Sequence, residues 1–215
     1  MATAPQTNGS RRKRNRDEEL LDAAVRLFHE KGYPASSMKD VAEAVGVLKG
    51  SLYHYISSKE DLLFRILQES HQQASEIVDE VSGLPGPAVG RLRAFVERMY
   101  LWYLDHSERV GLYFNQQQYL TGDNKKAMVA QARDLGMAVR RLLTEAKREG
   151  SLDPRLDVKL SAFFLMGALN SIPMWYMETG SYSREQIAEL FTRMSMSAFA
   201  CQEDTVDTTA PDLSR

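Results

Sequence analysis

The sequence predicts an all-α fold built from two helical domains. Apolar residues recur at the three- and four-residue spacing of amphipathic helices, no stretch alternates as a half-buried strand would, and Gly and Pro separate the apolar segments. The 215 residues are enough for one substantial core or two small ones. Hydrophobic residues make up 43% and charged residues 26% of the chain, which is ordinary for a globular protein. The formal net charge of −2 gives the whole chain no general affinity for polyanions.

The charges are unevenly placed and mark the two ends of the chain. Residues 1–15 lack hydrophobic periodicity and are predicted to form a basic disordered tail, and residues 203–215 an acidic one. The N-terminal cations are Arg11, Arg12, Lys13, Arg14 and Arg16. Such a cluster suits DNA phosphates or the minor groove, and the alternative is a tail that only solubilises the chain.

The first domain is predicted to span residues 16–66 and to begin with a helix from about Asp17 to Lys31. A second helix follows Ser37, because Ser37 and Asp40 have the spacing of a capping box, in which each residue hydrogen-bonds the backbone of the other. Gly46 closes that helix, since a residue without Cβ most easily adopts a left-handed conformation.

The next helix is predicted from Lys49 to Ile56. Leu52 and Ile56 lie four residues apart and are expected to be buried, which leaves polar and basic side chains on the other faces. A short helix, a tight turn and a polar second helix form the helix-turn-helix pattern, whose second helix enters the major groove of DNA.

The same residues carry a family resemblance. Residues 46–55 (GVLKGSLYHY) and 58–62 (SKEDL) are similar to the DNA-binding signature of the TetR family of transcriptional regulators, and the similarity extends over about residues 17–66. Leu48 departs from the family pattern, which usually has Ser or Thr at this position. The leucine removes a hydroxyl cap from the recognition helix and one polar contact with DNA.

The motif and the resemblance together indicate which residues contact DNA. Lys59, at a helix N-terminus, is expected to add a cation beside amide donors that face a phosphate. Tyr53 and His54 are expected to position the DNA backbone rather than to read bases, and the alternative for His54 is a packed core histidine. The complete expected set is Ser37, Lys39, Leu48, Lys49, Gly50, Ser51, Tyr53, His54 and Lys59.

A long helix is predicted to connect the two domains. A second capping box, Ser58 with Asp61, opens a helix that runs from about Lys59 to Val81 and serves as a linker to about residue 82. A conformational change in the second domain can therefore move the first. Gly and Pro residues over 83–87 end this helix.

The second domain is predicted to occupy residues 67–202 and to bind a ligand and a second subunit. Its expected segments after the linker are a helix from Ala88 to about His106, an irregular piece from Glu108 to Leu120, a helix from Gly122 to about Glu149, a helical segment beginning at Asp153 and Pro154, an uncharged helix from about Val158 to Met177, and a last helix from Arg184 to about Cys201.

The last two segments predict a homodimer. A helix that is apolar all round, as over residues 158–177, must be covered on all sides, and the helix over 184–201 has a second apolar seam. Two such helices from each of two chains form a symmetric four-helix bundle. A helix-turn-helix protein also needs a dimer, because two recognition helices about 34–36 Å apart match successive major grooves. The alternatives are a monomeric helical core and, for residues 160–177, a membrane span.

Aromatic and methionine side chains are concentrated after residue 66 and together can line an apolar ligand cavity, and the alternative for each single residue is core packing. The family resemblance implies that this domain binds a small effector that alters DNA affinity. The candidate lining residues are Met99, Trp102, Tyr103, Tyr113, Phe114, Met137, Phe164 and Asn170.

A narrower resemblance concerns the nature of that effector. Residues 169–187, with Leu169-Asn170, Pro173, Trp175-Tyr176 and Gly180, are similar to the branch of the family that senses acyl-CoA thioesters in fatty-acid or sterol breakdown. This resemblance implies that basic residues of the 122–149 helix meet the CoA phosphates, and the alternative is a solvated helix face. The candidates are Arg140, Arg141, Lys147 and Arg148.

Other functions have little support in the sequence. The four histidines are scattered, and no metal-ligand spacing, nucleophile elbow or phosphate loop is present, so neither catalysis nor a cofactor is expected. Cys201 is the only cysteine, which favours a reducing cytoplasm over a disulfide framework. The sequence leaves open an efflux-type regulator that senses varied drug-like ligands.

Overall fold

The computed structural model describes the backbone of residues 8–201 and the side chains of residues 17–201. Over this range the chain forms ten α-helices and contains no strand, which confirms the predicted all-α fold. The helices are α1 (Asn8–Lys31), α2 (Met38–Val45), α3 (Lys49–Leu52), α4 (Lys59–Ser82), α5 (Ala88–Asp105), α6 (Ser107–Gln116), α7 (Gly122–Arg148), α8 (Val158–Asn170), α9 (Ile172–Trp175) and α10 (Arg184–Phe199), and a 3₁₀ turn covers Gln117–Tyr119.

The helices enclose two separate hydrophobic cores that share α4. The first core joins α1, α2 and α3 to the start of α4 and includes the fully buried Phe28, Val41 and Ile56. The second core lies between the end of α4 and helices α5, α7, α8 and α10, with Phe95 and Val139 at its centre. The linker helix α4 therefore has a buried face in each domain, as a rigid connection requires.

Segment 107–121 gives the two domains a second connection. Leu112 of α6 and Leu120 after the 3₁₀ turn pack in the first core together with Met128 of α7, although in sequence they belong to the second domain. Helix α6 also packs against α1 and α4. The side of the second domain that carries α6 is thus attached directly to the first domain.

The caps of three helices test the local predictions. The reciprocal capping boxes at Ser37 and at Ser183 are both present. At α4 only half of the predicted box forms, because Ser58 Oγ accepts the Asp61 N–H at 3.0 Å but the Asp61 carboxylate accepts hydrogen bonds from Ser57. The Asp61 carboxylate therefore still holds the chain where it enters α4, but it bonds to Ser57, one residue before the predicted partner Ser58.

The ends of two N-terminal helices differ from the predicted limits. Helix α1 begins at Asn8 rather than near Asp17, because Arg and Lys are good helix formers and can extend an established helix without an apolar stripe. Helix α3 ends at Leu52 rather than Ile56. Beyond Leu52, some backbone amides donate to the carbonyl four residues back and others to the carbonyl three residues back. The regular α-helix therefore ends, although Ile56 stays buried.

The single uncharged helix predicted over residues 158–177 is wrong, because the chain breaks at Ser171 into α8 and α9. Pro173 causes the break, since proline lacks an N–H and its ring clashes with the carbonyl four residues earlier. The predicted helical segment at Asp153 and Pro154 is instead a turn, in which the Asp153 carboxylate accepts the Arg155 N–H at 2.7 Å.

Some predictions fall outside the described part of the chain. The acidic tail over 203–215, residues 1–7 and the side chains of the N-terminal arginines all lie there. Within residues 8–201, none of the helices has the length and the apolar character needed to cross a bilayer.

Candidate DNA-binding surface and effector cavity

Helix α2 is held in place at both of its ends. The Ser37 Oγ accepts the Asp40 N–H at 3.3 Å, and the Asp40 carboxylate accepts the Ser37 N–H at 2.7 Å. Lys31 of α1 lies 2.8 Å from the same carboxylate, and these hydrogen bonds, chiefly that of Lys31, lower the pKa of Asp40 to about 2. Gly46 then closes the helix at a φ of +70°. The first helix of the motif is therefore fixed against α1 before DNA binds.

The recognition helix presents the predicted surface. Leu52 and Ile56 are buried at 2% and 0% exposure, as the spacing predicted, and point into the first core. The predicted DNA-contacting residues around them are exposed, namely Leu48, Lys49, Gly50, Ser51, Tyr53 and His54. Leu48 is the N-cap of α3 and forms no side-chain cap hydrogen bond, as predicted. Its side chain is 79% exposed and gives this helix an apolar tip.

Lys59 does not have the predicted freedom to meet a phosphate. Its ammonium donates to the carbonyl oxygens of Tyr33 and Ser36 at 2.9 and 2.8 Å and to that of Pro34 at 3.3 Å. The same Nζ lies 4.5 Å from the centroid of the Tyr33 ring. All three donors of the ammonium are thus used inside the protein, which makes Lys59 a structural tie between α4 and the α1–α2 loop.

The other two predicted contacts flank the start of α2. Ser37 is exposed, and its hydroxyl donates to the Asp40 carboxylate at 2.8 Å, so its main role is in the cap. The ammonium of Lys39 is exposed and lies 3.5 Å from Glu43 one turn away. Of these two residues, Lys39 is the one whose charge DNA can reach.

The second domain encloses a cavity of about 610 Å³. Helices α4, α5, α6, α7 and α8 form its walls. It contains six of the eight predicted lining residues: Trp102, Tyr103, Tyr113, Phe114, Met137 and Asn170. Side chains that the prediction missed include Ser70 and His71 of α4, Arg133 and Arg140 of α7, and Phe163 and Met166 of α8.

Two of the predicted lining residues lie elsewhere. Met99 is fully buried in the second core, one helical turn before the cavity-lining Tyr103. Phe164 is 53% exposed on the outer side of α8, and its ring centroid lies 6.0 Å from that of Phe199. Its neighbour Phe163 faces the cavity instead, because successive residues of a helix point about 100° apart.

Four polar side chains of the cavity wall, His71, Tyr103, Tyr113 and Asn170, form two hydrogen-bonded pairs and are uncharged. His71 Nε2 lies 3.1 Å from the Tyr113 hydroxyl, and the Tyr103 hydroxyl donates to Asn170 Oδ1 at 3.1 Å. Burial lowers the pKa of His71 and raises the pKa of both tyrosines, so all three side chains are neutral near pH 7. This wall suits an apolar ligand that carries few polar groups.

Positive charge enters the cavity from α7. Arg133 and Arg140 are two turns apart on one face of α7 and both line the cavity. The Arg140 guanidinium lies 5.6 Å from the centroid of the Phe163 ring, and its buried Nε has no hydrogen-bond partner among the described residues. Of the four cations that the sequence suggested for a CoA phosphate, only Arg140 lines this cavity, and Lys147 donates to the Leu156 carbonyl at 2.6 Å.

A third surface combines exposed apolar side chains of α8 and α10 with those of α9 and the loop after it. Phe164, Trp175 and Met194 are between 42% and 59% exposed, which is unusual for side chains of this size. The other members are Leu160, Met174, Met177, Tyr182 and Leu190. This apolar face lies on the helices from which the sequence predicted a dimer interface.

Two family descriptions match the chain, one for each domain. Residues 20–66 match "Bacterial regulatory proteins, tetR family", and residues 85–199 match "Tetracyclin repressor-like, C-terminal domain". Among curated proteins, the HTH-type transcriptional repressor KstR2 of Rhodococcus jostii is 30% identical over 206 residues, which cover 92% of this chain and 98% of that protein. The fatty acid metabolism regulator protein of Bacillus subtilis is 24% identical over 190 residues, which cover 80% of this chain and 89% of that protein.

Solved structures show the same fold. The ketosteroid transcriptional regulator KstR2 of Mycobacterium tuberculosis superposes with a TM-score of 0.79 and 22% identity over 94% of this chain and all of that one, a likeness of fold. AibR, crystallised with isovaleryl coenzyme A and operator DNA, gives a TM-score of 0.74 and 28% identity over 83% of this chain and 97% of that one.

Among the described residues, no group of His, Cys, Asp and Glu side chains could hold a metal ion.

Proposed function

The chain belongs to the TetR family of DNA-binding transcriptional regulators, and on this premise we propose that it is a homodimeric repressor that an acyl-CoA-type effector releases from its operator. The observation that carries the effector proposal is the cavity of about 610 Å³, which joins neutral aromatic walls to two arginines. An acyl thioester of coenzyme A has the matching chemistry, since an apolar body is attached to an anionic carrier.

On the DNA side, the exposed face of the recognition helix carries the contacts. Lys49 and Ser51 face the major groove, and Tyr53 and His54 position the phosphate backbone. Leu48 replaces a polar contact by an apolar one, and the C5-methyl group of thymine is the part of a base edge that such a side chain fits.

On the effector side, the arginines of α7 fix the orientation of the ligand. Arg140 has a buried nitrogen without a partner, so an anionic group beside it gains a charge-assisted hydrogen bond at little cost in rearrangement. The apolar body then lies against Trp102, Tyr103 and Met137. KstR2 is named for ketosteroid regulation, and AibR was crystallised with a CoA thioester, which supports this class of effector.

The exposed apolar face on α8, α9 and α10 supports dimerisation through these helices. A face of this kind on a protein surface is covered in solution, and a second copy of the chain supplies a matching symmetric face. The dimer places two recognition helices on successive major grooves. We propose that it acts in the cytoplasm, where its operator lies.

The test is binding of the purified dimer to DNA from around its own gene, with and without a panel of acyl-CoAs. Release by one CoA thioester class is expected, and Arg140→Gln should raise the concentration needed for release at least tenfold. Arg141→Gln, at the next and exposed residue of α7, is the matched control and should leave release unchanged.

Two other outcomes would revise the proposal. Specific DNA binding that no CoA thioester releases would discard this effector class and keep the regulator. Release by chemically varied drug-like molecules, with no preference for CoA thioesters, would favour an efflux-type regulator instead.

A further inference from the structure

A second cavity of about 420 Å³ adjoins the first along helix α7. It lies between the 114–120 segment and the N-terminal half of α7, and Phe114 lines both cavities. We call the first the inner cavity and the second the outer cavity. The outer cavity has an apolar floor, formed by the buried Leu120 and Met128 beside Phe114, and an open rim of amide side chains, Lys125 and the exposed Val129.

The two cavities share one face of α7. Lining residues of the outer cavity at 125, 128 and 129 are followed at helical spacing by 132, 133, 136, 137 and 140 of the inner one. At about 1.5 Å per residue, the distance from Lys125 to Arg140 along the helix is about 22 Å. Phe114 stands beside the junction, and its ring packs edge-on against Tyr113 with centroids 5.0 Å apart. One aromatic side chain therefore borders two collinear spaces.

We propose that the outer cavity is the far end of the effector site and that Phe114 is a movable partition that sets the length of the apolar body the protein accepts. The proposal rests on the function proposed above. Arg140, at the opposite end of the inner cavity from Phe114, holds the anionic group, so an elongated body runs along α7 toward the partition. A body longer than the inner cavity displaces the Phe114 ring and enters the outer cavity.

Occupation of the outer cavity also has a direct route to the DNA-binding domain. Leu120 and Met128, on the cavity floor, pack in the first core with the helix-turn-helix. Thr121, next to Leu120, donates its N–H to the Glu60 carboxylate at 2.8 Å, at the start of α4. An effector that passes the partition pushes on these contacts, whereas a shorter one does not reach them.

The test uses unbranched alkyl sulfates from hexyl to tetradecyl, below their micelle concentrations, with affinity measured by isothermal titration calorimetry. Each buried methylene should raise the affinity about fourfold until the chain meets the partition. In the wild-type protein the gain should then level off, because displacement of the Phe114 ring offsets the gain from the next methylenes. Phe114→Ala should continue the gain through at least three further methylenes, which raises the affinity for the longest sulfate at least tenfold.

Matched variants separate this proposal from a general loosening of the domain. Val129→Trp plugs the outer cavity at a residue that is 63% exposed, so it should cancel the gain in the Phe114→Ala background. Ala130→Trp, at the next and exposed residue, should not cancel it. Phe114→Leu, which keeps an apolar side chain and thus the packing, should show a smaller gain in the same direction.

Three results would overturn the proposal: equal chain-length profiles for the wild type and Phe114→Ala, equal effects of the two tryptophans, or no binding of any sulfate. Alkyl sulfates report on the cavities without coenzyme A. If CoA thioesters fail to release DNA while the sulfates follow the expected profile, the proposed effector class fails and the partition stands.

Discussion

At the scale of single residues, two lysines of the DNA-binding domain show how surroundings decide the role of a charge. Lys59 directs its ammonium at three backbone carbonyls and lies over the Tyr33 ring, and burial lowers its pKa. Lys39 is exposed and interacts only with Glu43 on its own helix among the described residues. The first lysine therefore stabilises the domain, and the second is available to a phosphate.

Substitution of these lysines by methionine, which keeps the length of the side chain, should separate the two roles. Lys59→Met removes the hydrogen bonds that the ammonium donates to the partly buried carbonyl groups of Tyr33 and Ser36, and should lower the free energy of unfolding by about 1–2 kcal/mol, measured by urea denaturation. Lys39→Met should change it by less than about 0.5 kcal/mol. In operator titrations at several salt concentrations, Lys39→Met should reduce the salt slope by about 1. If Lys59→Met is as stable as the wild type and reduces the salt slope, Lys59 contacts a DNA phosphate as the sequence predicted.

The cavity residues show which part of the site is visible in the sequence. Aromatic and methionine side chains identify an apolar cavity, as Trp102, Tyr103 and Tyr113 do. The choice between adjacent residues such as Phe163 and Phe164 depends on the rotation of α8 in the assembled domain, which a helix that is apolar on all sides does not reveal. The pattern Arg133, Gly136, Met137 and Arg140, spaced three and four residues apart, does mark one face of α7 and could have been used to find both arginines.

At the scale of helices, the interruption after α8 reshapes the predicted dimer interface. Pro173 ends the long helix and lets α9 pack against α6, where a Cβ on Gly111 would lie 3.7 Å from the Pro173 Cβ. The uncharged composition of residues 160–177 was visible in the sequence, as was Pro173. Their consequence depends on whether packing compensates for the missing hydrogen bond, since proline can kink a helix as well as end it.

The outer face of α8 should control the oligomeric state. Phe164 is 53% exposed on this face, and Phe164→Glu places a charge where an apolar surface meets its copy. The variant should shift the protein to monomer in sedimentation equilibrium and weaken binding to a two-half-site operator at least tenfold, because each monomer then binds one half-site. Val129→Glu, at an exposed apolar residue of α7, is the control and should stay dimeric. A dimeric Phe164→Glu protein with full operator affinity would place the interface elsewhere.

At the scale of the whole molecule, polar contacts attach the second domain to the first at two places, in addition to α4 and the apolar packing of Leu112, Leu120 and Met128. Arg109 of α6 is 6% exposed and lies 2.6 Å from Asp22 of α1 and 3.2 Å from Glu69 of α4. At the second place, the backbone N–H and the hydroxyl of Thr121 both donate hydrogen bonds to the Glu60 carboxylate. Both attachments come from the segment that also lines the two cavities. The sequence predicted the link through α4 but not these attachments, because their partners lie 40 to 87 residues apart.

Weakening of these two attachments should reduce the coupling between the effector and DNA. Asp22→Asn keeps the Arg109–Glu69 pair, and Thr121→Val keeps the backbone bond to Glu60, so the double variant should fold and bind each ligand alone within about threefold of the wild type. The factor by which a saturating effector lowers operator affinity should fall about fivefold or more, a coupling loss of about 1 kcal/mol, because movement of α6 and α7 then displaces α1 and the start of α4 less. Fluorescence anisotropy of labelled operator with and without effector measures this factor. Asp123→Asn, two residues from Thr121 and without a partner in the first domain among the described residues, should keep the full factor. An unchanged factor in the double variant would show that α4 and the apolar packing of Leu112, Leu120 and Met128 carry the signal.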